Sequence, residues 1–134
     1  MFERDYIMRI LQTFFEDLTK LLHGQHRLDD DRQLEAFGDL YKKYLKDNRE
    51  HYYASSVENL TASFNGDPDG IYKAEMLAVL LYHDASLQKD KTVWKEFLEK
   101  SLALYRYLDV QSKVFSPERK EMIEIIEETL NTDL

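Results

Sequence analysis

Asn65-Gly66-Asp67-Pro68-Asp69-Gly70 is the segment of this chain whose residue types come nearest to a metal loop. A helix-loop-helix calcium site places oxygen ligands at its first, third and fifth positions and glycine at its sixth, and Asn65, Asp67, Asp69 and Gly70 match. Closing that cage takes a bidentate glutamate at the twelfth position, which here is Met76, with Glu75 one residue early and Pro68 stiffening the fourth position. The segment therefore reads as a turn into a helix, with Asp67 as N-cap and Pro68 as the first helical residue. A second candidate is His23-Gly24-Gln25-His26 followed by Asp29, which offers two imidazoles and a carboxylate to a divalent metal. A metal-dependent enzyme or sensor would centre on His23 and His26; against it, Gly24 reads as a helix stop and the loop as a frayed end. His51 and His83, beside Tyr52 and Asp84, read as surface or interface residues.

Nine tyrosines say more than four histidines. A tyrosine buries a large ring while keeping a polar tip, a combination enriched at protein interfaces. Tyr41, Tyr44, Tyr52 and Tyr53 gather around the end of one expected helix and the start of the next, and are expected to form a partner-binding patch. The alternative is that these rings cap the edge of the core. Tyr105 and Tyr107 point to different faces of one helix and cannot share a stripe.

The elements that must position these residues follow from periodicity. Phe2, Tyr6, Ile7, Ile10, Leu11, Phe14, Phe15, Leu18, Leu21 and Leu22 recur in steps of three and four, which predicts a long amphipathic helix with a stripe wide enough for two neighbours. Asp30 and Gln33 have capping-box spacing ahead of a second helix carrying Leu34, Phe37, Leu40, Tyr41, Tyr44 and Leu45. Tyr53, Val57, Leu60 and Phe64 predict a third, and residues 71–82, apolar on most sides, a fourth that should be the most buried. Asp90 or Thr92 caps a fifth helix bearing Val93, Trp94, Phe97, Leu98, Leu102, Tyr105 and Leu108. Ser116-Pro117-Glu118 opens a sixth with Met122, Ile123, Ile126 and Leu130 on its buried stripe. The fold class expected is all-α: one domain over residues 1–134, six helices as antiparallel hairpins, in a compact bundle or a short tetratricopeptide-like superhelical stack.

Composition supports this reading. Four glycines and two prolines in 134 residues are too few for a many-stranded fold, and 43% apolar residues are too many for a disordered chain. No cysteine means no disulfide, no thiolate zinc site and no cysteine nucleophile. No His-Glu-x-x-His, Glu-x-x-His, Gly-x-Ser-x-Gly or glycine-rich phosphate motif occurs, so catalysis and a cofactor lack support. The net charge of −8 is evenly spread, since residues 1–67 and 68–134 each hold 9 basic and 13 acidic groups, and no nucleic-acid partner is expected. The acidic stretch from Glu118 onwards reads as a solvated face or a surface for a basic partner. The longest apolar run, Met76 to Tyr82, is far short of a membrane span, and the charged opening lacks a signal-peptide core; the expectation is a soluble cytoplasmic protein.

Arg4-Asp5-Tyr6-Ile7-Met8-Arg9, followed by an apolar helix ending in Leu21-Leu22, resembles the opening of a family of small, mostly helical Firmicute proteins classed as a domain of unknown function. The resemblance implies a bacterial cytoplasmic protein and brings no catalytic residue with it. Read physically, Asp5 and Arg9 stand one helical turn apart and can pair. The function expected is a non-catalytic module binding another protein or itself, with a homodimer as one form, through Tyr41, Tyr44, Tyr52 and Tyr53.

Overall fold

A computed structural model describes residues 2–23, 30–112 and 115–132. Within them every regular element is a helix, seven in all: α1 (Phe2–His23), α2 (Asp30–Leu45), α3 (Arg49–Ala54), α4 (Val57–Asn65), α5 (Gly70–Ala85), α6 (Lys91–Gln111) and α7 (Pro117–Thr132). The expected third helix is two. Asn48 caps α3 by accepting from the His51 N–H, and Ser56 caps α4 by accepting from the Asn59 N–H, with Ser55 extended between the helices. A serine pair that offers local hydrogen bonds to the backbone outcompetes one continuous helix there.

α5 is the centre of the bundle. It packs on α1, α2, α4 and α6, while α7 lies against α6 and α1 against α2. Ala74, Leu77, Ala78, Leu80 and Leu81 of α5 have no accessible surface, as the all-round apolar pattern of residues 71–82 requires. From α1 come Ile7, Leu11, Phe14 and Leu18, one residue per turn on the buried side, while Phe15 and Tyr6 of the same wide stripe remain 39% and 65% exposed. Asp90 caps α6 through the Thr92 and Val93 N–H groups, and Ser116 caps α7 through the Arg119 N–H. No helix among the described residues is long and apolar enough to cross a membrane.

The turn into α5 differs from the expected one. The helix begins at Gly70, not Pro68, and its N-cap, Asp69, makes no side-chain capping bond. Asp67 instead folds the turn on itself, accepting from the Asp69 N–H at 2.8 Å and from Lys73 at 2.5 Å. Gly70 is needed for proximity: a Cβ there would stand 1.9 Å from the Phe64 carbonyl oxygen. Both Asp67 oxygens are thus engaged, and Met76, where a calcium loop would close, is buried.

Two polar joints lock the helices. Asp84, fully buried on α5, accepts from Tyr41 Oη at 2.9 Å, Arg49 Nε at 2.7 Å and Gln88 Nε2 at 3.2 Å, while Arg49 Nη2 reaches the Leu34 carbonyl at 2.6 Å. A buried carboxylate survives only when so supplied with donors. On the other flank, the Lys100 ammonium spends its three donors on the carbonyls of Tyr52, Tyr53 and Ser55, at 3.0, 2.5 and 2.7 Å. These carbonyls end α3, so a cation from α6 caps the negative end of a helix too short to hold itself.

Candidate binding cleft

The four tyrosines expected to form a patch do not form one. Tyr41, Tyr44 and Tyr52 are 0%, 8% and 5% exposed and belong to the core. Each hydroxyl is used inside the fold: Tyr41 donates to Asp84, Tyr44 to Asp17 and Tyr52 to the Leu45 carbonyl. Tyr41 and Tyr52 stack on each other with centroids 6.0 Å apart. Tyr53, half-buried, stacks on Phe97 and donates to Glu96, which ties it to α6. Burial, reinforced by Asp84, raises the Tyr41 pKa well above the phenol range, and burial pushes Tyr52 up to about 12. The reading that the rings cap the core describes three of the four; a tyrosine's apolar area outweighs its one hydroxyl wherever an internal acceptor lies in reach.

Tyr44 nonetheless leads to a site, because it also lines a cleft of about 550 Å³ between α1, the end of α2 and the start of α5. That volume falls in the range of small-ligand and peptide-anchor pockets. The floor is apolar, made by Ile7, Leu11 and Met76 beside Tyr44, all buried. Ile10 and the rings of Tyr6 and Tyr72 form its upper walls. Phe14 packs against the Tyr44 ring edge to face, with centroids 5.1 Å apart.

Around this floor stand Arg9, Lys43, Lys46 and Lys73, against a single lining carboxylate, Asp69. The chain as a whole has 18 basic to 26 acidic residues, so the rim inverts the charge of the molecule. Two of the four cations are already partnered. Lys43 donates to Asp17 at 2.9 Å and Lys73 to Asp67 at 2.5 Å. The hydrogen bonds from Tyr44 and Lys43 hold Asp17 below the usual carboxylate range, and those from Lys73 and the Asp69 N–H do the same for Asp67. Arg9 and Lys46 make no ion pair among the described residues. The expected Asp5–Arg9 pair is not formed, and both side chains are exposed.

Lys46 has φ 77°, the only positive value at a non-glycine residue among those described. Its N–H closes the last turn of α2 on the Lys42 carbonyl at 3.2 Å, so it sits where a helix ordinarily ends on glycine. A lysine held there costs about 1–2 kcal/mol of backbone strain. Strain of this kind clusters at ligand clamps.

Of the histidine loop, His23 ends α1 and is exposed, while residues 24–29, with His26 and Asp29, lie outside the described residues. His83 is half-buried and its pKa is lowered, first by burial and then by His23, so the structure brings His83 rather than a surface position towards the end of α1. No group of three His, Asp or Glu side chains able to hold a metal ion occurs among the described residues.

The sequence reading missed Arg9, Lys46, Tyr72 and Lys73. Arg9 was spent on a pair with Asp5, Lys46 was one residue of a polar stretch after Leu45, and the other two lay on the buried-looking fourth helix. Their convergence depends on how α1, α2 and α5 pack, and no local spacing encodes that. No protein-family model, no curated protein and no solved structure matches this chain.

Proposed function

We propose that this chain is a non-catalytic binding module that engages another protein through the cleft between α1, α2 and α5. One observation carries the reading: a concave cleft with an apolar floor and a rim of cations, in a molecule of opposite net charge. The apolar area left to bury is on the walls, on Tyr6, Ile10 and Tyr72, and supplies affinity, while placed charges supply orientation and selectivity. The tyrosine bias that suggested recognition is consistent with this in a different way from the expected patch. Tyr6, Tyr44 and Tyr72 line the cleft, whereas Tyr41, Tyr52 and Tyr53 brace the helices that form it.

Photo-crosslinking in cells tests the proposal. Benzoylphenylalanine is introduced at Thr13 or Tyr72, in the cleft, and at Glu121, on the exposed side of α7. A discrete polypeptide adduct at the cleft positions and none at Glu121 is expected. An adduct of twice the chain's mass would identify the partner as a second copy. Adducts at Glu121 alone, or none at any position, would overturn the reading.

A further inference from the structure

Arg9, on α1, and Lys46, just past the end of α2, make no ion pair among the described residues and line one cleft with an apolar floor, which the Asp69 carboxylate also lines. Burying that floor beneath a ligand would lower the dielectric around both and strengthen their pull on an anion. Arg9 stands on α1 and Lys46 just past the end of α2, so the two cations approach the cleft from different elements. The complementary ligand brings more than one negative charge, to balance two unpaired cations, together with an apolar group. A fatty-acid anion has one negative group at its end. A peptide segment meets the requirement without strain, since acidic residues can flank an aliphatic or aromatic anchor.

Resting on the reading of the cleft as a protein-binding site, we infer that its occupant is a short acidic segment of a partner protein. Two or more carboxylates flank one large apolar side chain, and Arg9 and Lys46 read the carboxylates. The left-handed backbone at Lys46 gives this a second support. Glycine would satisfy that position with less strain, and lysine there places an ammonium at the rim. Lys43 and Lys73, held by Asp17 and Asp67, shape the rim and stay paired.

The test pans a library of short random peptides, displayed on phage, against the full chain. Enriched peptides are then titrated by fluorescence polarisation into wild type, Thr13→Trp and the double variant Arg9→Gln/Lys46→Asn. Thr13 is exposed and lines the cleft, so tryptophan there fills it without touching the core. Asparagine tolerates the left-handed conformation, so the double variant removes charge while keeping the backbone, and circular dichroism confirms folding of each. The expected peptides carry Asp or Glu on both sides of a large apolar residue and lose binding with Thr13→Trp. They weaken about tenfold with the double variant, and high salt abolishes that difference. Peptides lost with Thr13→Trp but neutral or basic in sequence, or indifferent to the double variant, would overturn the acidic segment while leaving the cleft as the binding site. If no enriched peptide responds to Thr13→Trp, the protein-binding reading falls too. Tighter, Thr13→Trp-sensitive binding of oleate or a single-stranded oligonucleotide would overturn the occupant in favour of that class.

Discussion

Arg49→Met is expected to unfasten the bundle more than any other single change near the surface. The guanidinium has 18% side-chain exposure, donates to the fully buried Asp84 at 2.7 Å and to the Leu34 carbonyl at 2.6 Å, and lies over the Tyr41 ring at 5.7 Å. Methionine keeps most of the apolar stem but leaves Asp84 with only Tyr41 and Gln88 as donors. Removing one partner of a buried pair costs about 3–5 kcal/mol, and partial exposure of Arg49 puts this case near the lower end. Tyr41→Phe removes a hydrogen bond to a charged group and is expected to cost about 2 kcal/mol. Against a total stability on the order of 10 kcal/mol, either loss is large. Urea unfolding followed by helical circular dichroism and by Trp94, the chain's one tryptophan, gives both values. Because Arg49 and Asp84 share one bond, Arg49→Met/Asp84→Asn should cost about 2 kcal/mol less than the sum of its singles. Additive losses, or an Arg49→Met cost below about 1 kcal/mol, would refute the view that this joint fastens α2 and α3 to α5.

Other substitutions probe the cleft and the turn beside it. Lys46→Gly relieves the left-handed lysine at some entropic cost and should stabilise the chain by about 0.5–1 kcal/mol, raising Tm by about 2 °C or more, while weakening the acidic peptides. Gly70→Ala sets a methyl group against the Phe64 carbonyl and should cost about 2–3 kcal/mol by urea unfolding. Glu75 is raised above 4.5 by burial and by Glu118, with Arg119 opposing. Its charged form is therefore penalised in the folded state at pH 7, and the penalty lifts as pH falls through the folded pKa towards 4.5. Glu75→Gln should accordingly raise Tm at pH 7, with the gain fading by pH 4.5 in a thermal melt series. Asp17 and Asp67, both lowered from 3.8, contribute stability that is present above that value and lost as pH falls below it. Replacing either with Asn should blunt acid unfolding in that range and lower stability at pH 7.

The helices were legible because their signal is local. A wide apolar stripe every three or four residues defined α1, α5 and α6, and Asp90 and Ser116 marked starts that hydrogen bonds now account for. The split between α3 and α4 was misread because Tyr53, Val57, Leu60 and Phe64 keep helical spacing across it; the Ser55-Ser56 pair was the overlooked signal. The candidate cleft was legible only as a bias in composition. Tyrosine abundance pointed to recognition, but which rings would be core depended on acceptors far away in sequence, such as Asp84 for Tyr41, 43 residues on. Charge inversion at the cleft rim is likewise invisible in a chain whose halves carry equal charge, since Arg9, Lys46 and Lys73 meet only through packing.

If the cleft is where this chain meets its partner, adding a selected acidic peptide to the isotopically labelled chain should shift the amide resonances of Arg9, Thr13, Lys46, Tyr72 and Lys73. Those of α6 and α7 should stay in place. Shifts centred on Tyr53, Val110 or α7, with the cleft residues unmoved, would contradict the assignment of function to this cleft.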